Sequence, residues 1–200
     1  MLNLVIATKN SGKVLELKEL LADLPFRLSN LSDFPNIVEA EETGETFVEN
    51  AALKAQSYAR QTGILALADD SGLEVAALGG APGIYSARYA GENVSDETRI
   101  EKLLKEISRT GNNNRAARFV CAIAIADGNG EKIFTAEDYC EGVIAFEPRG
   151  RNGFGYDPVF IPIGFDQTFG EMPETVKREI SHRARALTKI IRYLRDFIAV

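Results

Sequence analysis

Apolar residues come in two rhythms along this chain. Short unbroken runs mark strands, and i, i+3, i+4 spacings mark helices. Residues 2–7 form the first run, after which Val14, Leu15, Leu17, Leu20, Leu21 and Leu24 recur at helical spacing up to Pro25. A helix is predicted over 46–60, opened by the capping-box pair Thr46 and Glu49. The apolar run 64–68 predicts a buried strand. It should stop at Asp69-Asp70-Ser71-Gly72, because Asp disfavours strands and Ser-Gly is turn chemistry. The stretch from Leu78 to Gly83 must be a loop. A helix over 95–108 starts at Ser95-Asp96-Glu97-Thr98. Strands are predicted over 118–126, 131–136 and 139–146, the first two joined by the turn Asp127-Gly128-Asn129-Gly130. An extended apolar segment at 158–162 follows. A helix over 182–198, with Leu187, Ile190, Ile191 and Leu194 inward, closes the order. Strands and helices mix, so the class is α/β, with a hairpin portion in the second half.

Length and charge narrow this picture. Two hundred residues fit one domain, taken as 1–200, or one domain with a lobed shape. A net charge of −6 argues against a coat for nucleic acid polymers, which would be basic. No apolar run reaches membrane-spanning length, and the first residues lack a basic leader, so no membrane partner and a cytoplasmic location are expected. Cys121 and Cys140 fall in strand-like stretches and read as reduced core thiols. Charge is also segregated. Leu28 to Leu53 carries acids and no Lys or Arg, while Val176 to Arg195 carries seven basic residues and one acid. Either these are two solvated faces, or an acidic metal-binding patch is paired with an anion-binding wall.

Four clusters could carry chemistry. The first is Asp69-Asp70, expected where a sheet edge meets solvent. Two adjacent carboxylates repel unless something positive lies between them, and a divalent cation with oxygen ligands would serve. The same residues also read as a solvated turn capping a helix. The second is Thr8-Lys9-Asn10-Ser11-Gly12-Lys13 between a strand and a helix. Backbone amides at a helix N-terminus favour an anion, and Lys13 adds a point charge, although this is not a Walker A loop. The third is Glu41-Glu42-Thr43-Gly44, which could add oxygen ligands suited to Mg²⁺ or stand as a solvated acidic loop. The fourth is Gly153-Phe154-Gly155-Tyr156-Asp157-Pro158, where glycines let a flat ligand approach and Phe154 could stack on a base. The single histidine, His182, and the absence of a cysteine cluster argue against zinc.

Taken in order, these pieces resemble the inosine triphosphate pyrophosphatase family nearly end to end. The resemblance rests on Ile6-Ala7-Thr8-Lys9-Asn10-Ser11-Gly12-Lys13, on Glu41-Glu42-Thr43-Gly44-Glu45-Thr46-Phe47, and on Glu49-Asn50-Ala51. It continues through Ala68-Asp69-Asp70-Ser71-Gly72-Leu73 and through Gly79-Gly80-Ala81-Pro82-Gly83-Ile84-Tyr85-Ser86-Ala87-Arg88-Tyr89, the most specific block. It ends with Gly153 to Pro158 and Ile180-Ser181-His182-Arg183. Many members carry Gly where Lys9 stands. The resemblance implies an elongated, two-lobed α/β fold with a long mixed central β-sheet flanked by helices, and a homodimer. It implies Mg²⁺-dependent hydrolysis of ITP, dITP and XTP to monophosphate and pyrophosphate. Carried over residue by residue, Thr8, Lys9, Asn10, Ser11, Gly12 and Lys13 would hold the triphosphate, and Lys54 would reach phosphate. Glu41 and Asp70 would bind Mg²⁺ with Glu42 and Asp69 as close supports, and Asp70 would be the general base. Ser71 would touch substrate. Phe154, Gly155, Tyr156, Asp157, Lys177, His182 and Arg183 would read the base. The alternatives are a nucleotide-binding regulator without turnover and a phosphohydrolase for other modified nucleotides.

Overall fold

The computed structural model describes residues 2–198. In chain order the elements are β1 (Leu2–Ile6), α1 (Ser11–Leu20), β2 (Phe26–Asn30), α2 (Phe47–Thr62), β3 (Leu65–Val75), α3 (Asp96–Arg109), β4 (Ala116–Ala126), β5 (Lys132–Ile144), β6 (Phe160–Pro162), α4 (Glu174–Ile180) and α5 (His182–Ile198). The sheet runs β2-β1-β3-β4-β5-β6. It is mixed, because β1 is parallel to β2 and β3 while β5 and β6 are antiparallel. The α/β class and the mixed sheet are as the sequence indicated.

The chain divides into two compact units. The first comprises Met1–Asp70, Cys121–Asp138 and Arg183–Val200. Its core gathers Leu4 and Ile6 of β1, Leu17 of α1, Leu67 of β3, Ile123 and Ile125 of β4, and Leu187, Ile190 and Leu194 of α5. The inward stripe of α5 is therefore the one its periodicity announced. The second unit comprises Ser71–Val120 and Tyr139–His182. Its core joins Leu73 and Val75, the α3 stripe Ile100, Leu103 and Ile107, and the aromatic group Phe119, Phe160 and Phe169. Both cysteines are buried, and neither is in a disulfide.

Local chemistry set the helix ends as expected at α2 and α3. Thr46 and Glu49 form a reciprocal capping box, and Gly63 closes α2 in the left-handed region that glycine adopts without strain. Ser95 caps α3 through the Thr98 amide. The turn at 127–130 connects the neighbouring strands β4 and β5.

Elsewhere the structure corrects the reading. β3 does not end at Ala68 but runs through Asp69-Asp70-Ser71-Gly72 to Val75, and it is an interior strand of the sheet. The Asp pair is therefore not a solvated turn at an edge: Asp69 is 0 % and Asp70 6 % exposed. The two strands expected over 131–136 and 139–146 are one strand, β5. Buried Ala136, Cys140, Gly142 and Ile144 and half-buried Asp138 share one face at a period of two, so the strand passes through Glu137 and Asp138 without a break. Asp138 finds a partner in Lys189 at 3.1 Å. α1 starts three residues earlier than Val14 and stops at Leu20, while Leu21 and Leu24 stay buried in the following turn. β2 and α4 were not anticipated, being short and only partly buried.

Candidate active site

Parallel pairing places the candidate residues of the first unit together. Ile6 pairs with Leu67, and the Ala7 amide donates to the Leu67 carbonyl at 2.7 Å. The loop leaving β1 therefore lies beside the two residues that follow Ala68. Asn10 ends that loop by capping α1, its side chain accepting from the Lys13 amide at 3.0 Å, while Thr8 Oγ1 accepts from the Asn10 amide. Lys9 extends outward and pairs with Glu39 at 3.0 Å, both side chains exposed.

Asp69 is the anchor of a buried charge network. Its Oδ2 lies 3.1 Å from Lys13 Nζ and 3.1 Å from Arg183 Nη2. Arg183, the largest fully buried side chain, donates also to Glu16 of α1. Burial alone would raise the Asp69 pKa, but the cations Lys13, Arg183 and Lys54 outweigh it and hold the carboxyl well below its usual range. Arg183 is correspondingly pushed above its ordinary value, its burial being outweighed by Asp69 and Glu16. Cys121 abuts this network with Sγ 4.0 Å from Asp69 Oδ2, and burial raises its thiol to about 12, which leaves it an inert core group.

Asp70, one residue on, faces a different environment. Its Oδ1 accepts from Lys54 Nζ at 2.7 Å, and the same ammonium sits 3.1 Å from Glu42 Oε1. Burial raises the Asp70 pKa, against the opposing pull of Lys54 and Lys13. Lys54 is held above the ordinary lysine value, since Asp70, Glu42 and Asp69 outweigh its burial. Asp70 Oδ2 is buried with no hydrogen-bond partner from the protein. A buried acceptor left in this way costs about 1–3 kcal/mol, so it is expected to serve a ligand. That oxygen, with the Glu42 carboxylate held on the same Lys54 ammonium, is a hard oxygen donor of the kind that fits Mg²⁺. Among the described residues no group of three or more metal-binding side chains is preassembled.

The acidic loop is held by the first turn of α2. Asn50 Oδ1 accepts from the Gly44 amide at 2.8 Å, and Glu49 accepts from the Glu45 amide at 2.7 Å. A Cβ on Gly44 would come within 2.6 Å of Glu49 Cβ and 2.8 Å of Asn50 Oδ1. Gly44→Ala is therefore expected to push the loop off α2 and to raise the Mg²⁺ concentration needed for half-maximal turnover several-fold. A Mg²⁺ titration of turnover checks this, and an unchanged midpoint would detach the loop from metal binding.

The second unit gathers most of the residues expected to read a base. Lys177 Nζ donates to Asp157 Oδ2 at 2.6 Å and lies 4.9 Å from the centre of the Phe154 ring. Asp157 Oδ2 accepts also from the Phe154 amide at 2.8 Å, which fixes the glycine-rich turn. Gly153 has positive φ, and a Cβ there would fall 2.0 Å from Asp157 Oδ2. Tyr156 is buried and donates to the Ser86 carbonyl at 2.9 Å, with its phenol raised by that burial. His182 stacks on Phe119, 4.7 Å between ring centres. Ser71 is half-buried on β3.

Two of the expected site residues lie in the buried network of the first unit. Arg183, expected at the base, donates to Asp69 and Glu16. Asp69, expected as a close support of the metal, holds Lys13 and Arg183 through Oδ2. Three residues escaped the sequence reading. Glu16 breaks the apolar stripe of α1 one turn after Lys13, which was the available signal. Asn50 lies one turn before Lys54 on α2 and shares its buried face. Asp96 accepts from the Gly155 amide at 2.7 Å, and nothing in the sequence distinguished it from an ordinary helix-start acid.

Comparison with known proteins agrees with this construction. Residues 4–193 match the model of the Ham1 family. A protein of Desulforamulus reducens named dITP/XTP pyrophosphatase is 51% identical over 193 residues, covering 96% of each chain. One of the same name from Bacillus licheniformis is 50% identical over 95% of this chain and 96% of its own. A solved HAM1 protein from Coxiella burnetii superposes with a TM-score of 0.90 at 44% identity, covering 98% of this chain and 100% of that one. The Ham1 protein of Staphylococcus aureus gives 0.85 at 41% identity over 97% and 98%. Fold, order of motifs and near-complete coverage coincide, and the chain belongs to the Ham1 family.

Proposed function

We propose that this chain hydrolyses deaminated purine nucleoside triphosphates (ITP, dITP and XTP) to the monophosphate and pyrophosphate, with Mg²⁺, and so cleans the nucleotide pool. The observation that carries the reading is the buried pair Asp69-Asp70 on β3. Asp69 Oδ2 is held between Lys13 and Arg183, Asp70 Oδ1 accepts from Lys54, and Asp70 Oδ2 is buried without a hydrogen-bond partner, placed to take a proton or to serve a ligand. Relatives about half identical and named dITP/XTP pyrophosphatase support it.

In this mechanism the amides opening α1, with Lys13, hold the triphosphate. Asp70 Oδ2 orients a water and takes its proton as the water attacks the α-phosphorus. The bond from that phosphorus to the α,β-bridging oxygen breaks, and pyrophosphate leaves with the bond's electron pair. A positioned base of this kind contributes roughly 10²–10⁴-fold. In the nucleotide-free protein Lys54 holds Asp70 through Oδ1, and it brings a positive charge to the site. Glu41 and Asp70 would hold Mg²⁺, with Glu42 in support, and the ion would neutralise charge developing on the leaving pyrophosphate.

Base choice falls to the second unit. Lys177 is a fixed donor and Asp157 a fixed acceptor beside the Phe154 face. Hypoxanthine and xanthine offer a 6-keto acceptor and an N1–H donor, whereas adenine offers the reverse. Sites built on such pairs discriminate by up to roughly 10⁴-fold, because the wrong base leaves buried groups unpaired. Lys177→Met is thus expected to lose more kcat/KM for ITP than for ATP. Arg183→Ala should lose both alike, since its guanidinium serves the Asp69 network. Steady-state kinetics on the two nucleotides checks the pair, and an ITP-selective loss in Arg183→Ala would return Arg183 to the base.

The main test is release of pyrophosphate and orthophosphate from ITP, XTP, dITP, ATP and GTP in parallel, with and without Mg²⁺. Pyrophosphate from the first three and little from the others is the expected result. Orthophosphate, or equal rates on ATP, would overturn the assignment. The reading includes a homodimer in the cytoplasm. Light scattering that returns the mass of one chain would remove the dimer. No helix among the described residues is long and apolar enough to cross a membrane.

A further inference from the structure

The ammonium of Lys54 lies between Asp70, assigned to the metal, and Glu42, assigned to its support. It lies 2.7 Å from Asp70 Oδ1 and 3.1 Å from Glu42 Oε1, and its side chain is about as buried as that of Asp70. Lys54 projects from α2, whose first turn also clamps the acidic loop through Asn50 and Glu49. Carboxylates and ammonium are therefore mounted on one rigid element and on the strand beside it. A cation so placed has two effects. It compensates the mutual repulsion of Asp70 and Glu42, and it repels any second cation that approaches the same oxygens.

We infer that Lys54 is a built-in counter-cation that weakens metal binding to the nucleotide-free protein, so that metal enters well only together with the triphosphate. A polyphosphate gives the ammonium an alternative anionic partner. Once Lys54 turns to phosphate, Asp70 Oδ1 and Glu42 are released and the local charge becomes more negative. Metal affinity then rises. By reciprocity, bound metal favours the state in which Lys54 faces phosphate. The device would make the metal–nucleotide complex the species captured and would leave the free enzyme little affected by the divalent cation concentration. It rests on the assignment of Asp70 and Glu41 to the metal, made above.

The test is calorimetric titration of nucleotide-free protein with Mg²⁺ alone, and with Mn²⁺ alone, for the wild type and for Lys54→Met. Removing the charge is expected to tighten binding by about tenfold or more at the same ionic strength, while turnover falls because the ammonium that would face the triphosphate is gone. Lys54→Gln keeps a hydrogen-bond donor without the charge. It should tighten binding in the same direction and serves if the Met variant does not fold. Lys54→Arg keeps the charge and should bind metal as weakly as the wild type. Asp70→Asn separates the two layers of the argument. If Asp70→Asn loses metal binding but Lys54→Met and Lys54→Gln bind no tighter than the wild type, the counter-cation role is overturned and the metal assignment stands. If Asp70→Asn binds metal as the wild type does, the metal assignment itself fails, and this inference with it.

Discussion

Asp70→Asn is expected to lower pyrophosphate release from ITP by roughly 10²–10⁴-fold while the nucleotide still binds. The substitution keeps shape and one acceptor oxygen, so Lys54 retains a partner at the Oδ1 position. It removes the basic oxygen that the protein leaves unpartnered. The phosphate-binding parts are untouched, because the α1 amides and Lys13 are organised by Asn10 and Asp69. The expected signature is therefore a collapse of kcat with a near-normal dissociation constant, read by single-turnover kinetics and by calorimetry with ITP. Full activity would remove Asp70 from the role of base. Loss of nucleotide binding in step with kcat would make it a binding residue instead.

Asp69→Asn should act on the fold before it acts on the chemistry. It withdraws the anion that compensates Lys13 and Arg183, leaving Arg183 fully buried with Glu16 as its remaining carboxylate. Breaking a buried ion pair on one side typically costs about 3–5 kcal/mol. At roughly 2–4 °C per kcal/mol for a chain of this size, Tm should drop by about 6–20 °C. The pH dependence follows from the direction of the shift. The folded pKa of Asp69 lies below its ordinary value of 3.8, so the stability it contributes is fully present above that value. It is lost as pH falls through the folded pKa. The gap in Tm between wild type and variant should therefore be constant near neutrality and close in strong acid. Thermal melts across pH check this. A variant as stable as the wild type but deaf to Mg²⁺ would show that Asp69 is a metal ligand after all.

The site was legible where chemistry is local in sequence. Thr46 and Glu49 announced the start of α2, Ser95 the start of α3, and Gly153 to Asp157 a glycine-built turn. Such features depend on neighbours a few residues away, which any reader of the chain can see. Asp69 and Asp70 were visible as a pair, but their environment was not. Their propensity argued for a solvated turn, and propensity was overridden because Lys13, Lys54 and Arg183 arrive from three other elements to cancel the charge.

What the amino-acid order settled by itself was the α/β class, the identity of most candidate residues and the family they resemble. It did so because strand runs, helical stripes and glycine-rich turns are written in contiguous residues. What tertiary structure alone decided was the division of labour among like groups. Glu16 meets Arg183 across 167 positions of sequence, and Arg183 meets Asp69 across 114. Those encounters gather Lys13, Arg183 and Glu16 around Asp69, one residue from the Asp70 oxygen that has no hydrogen-bond partner. A carboxylate's role depends on its burial and on which cations lie within about 4 Å, and those are properties of the folded chain.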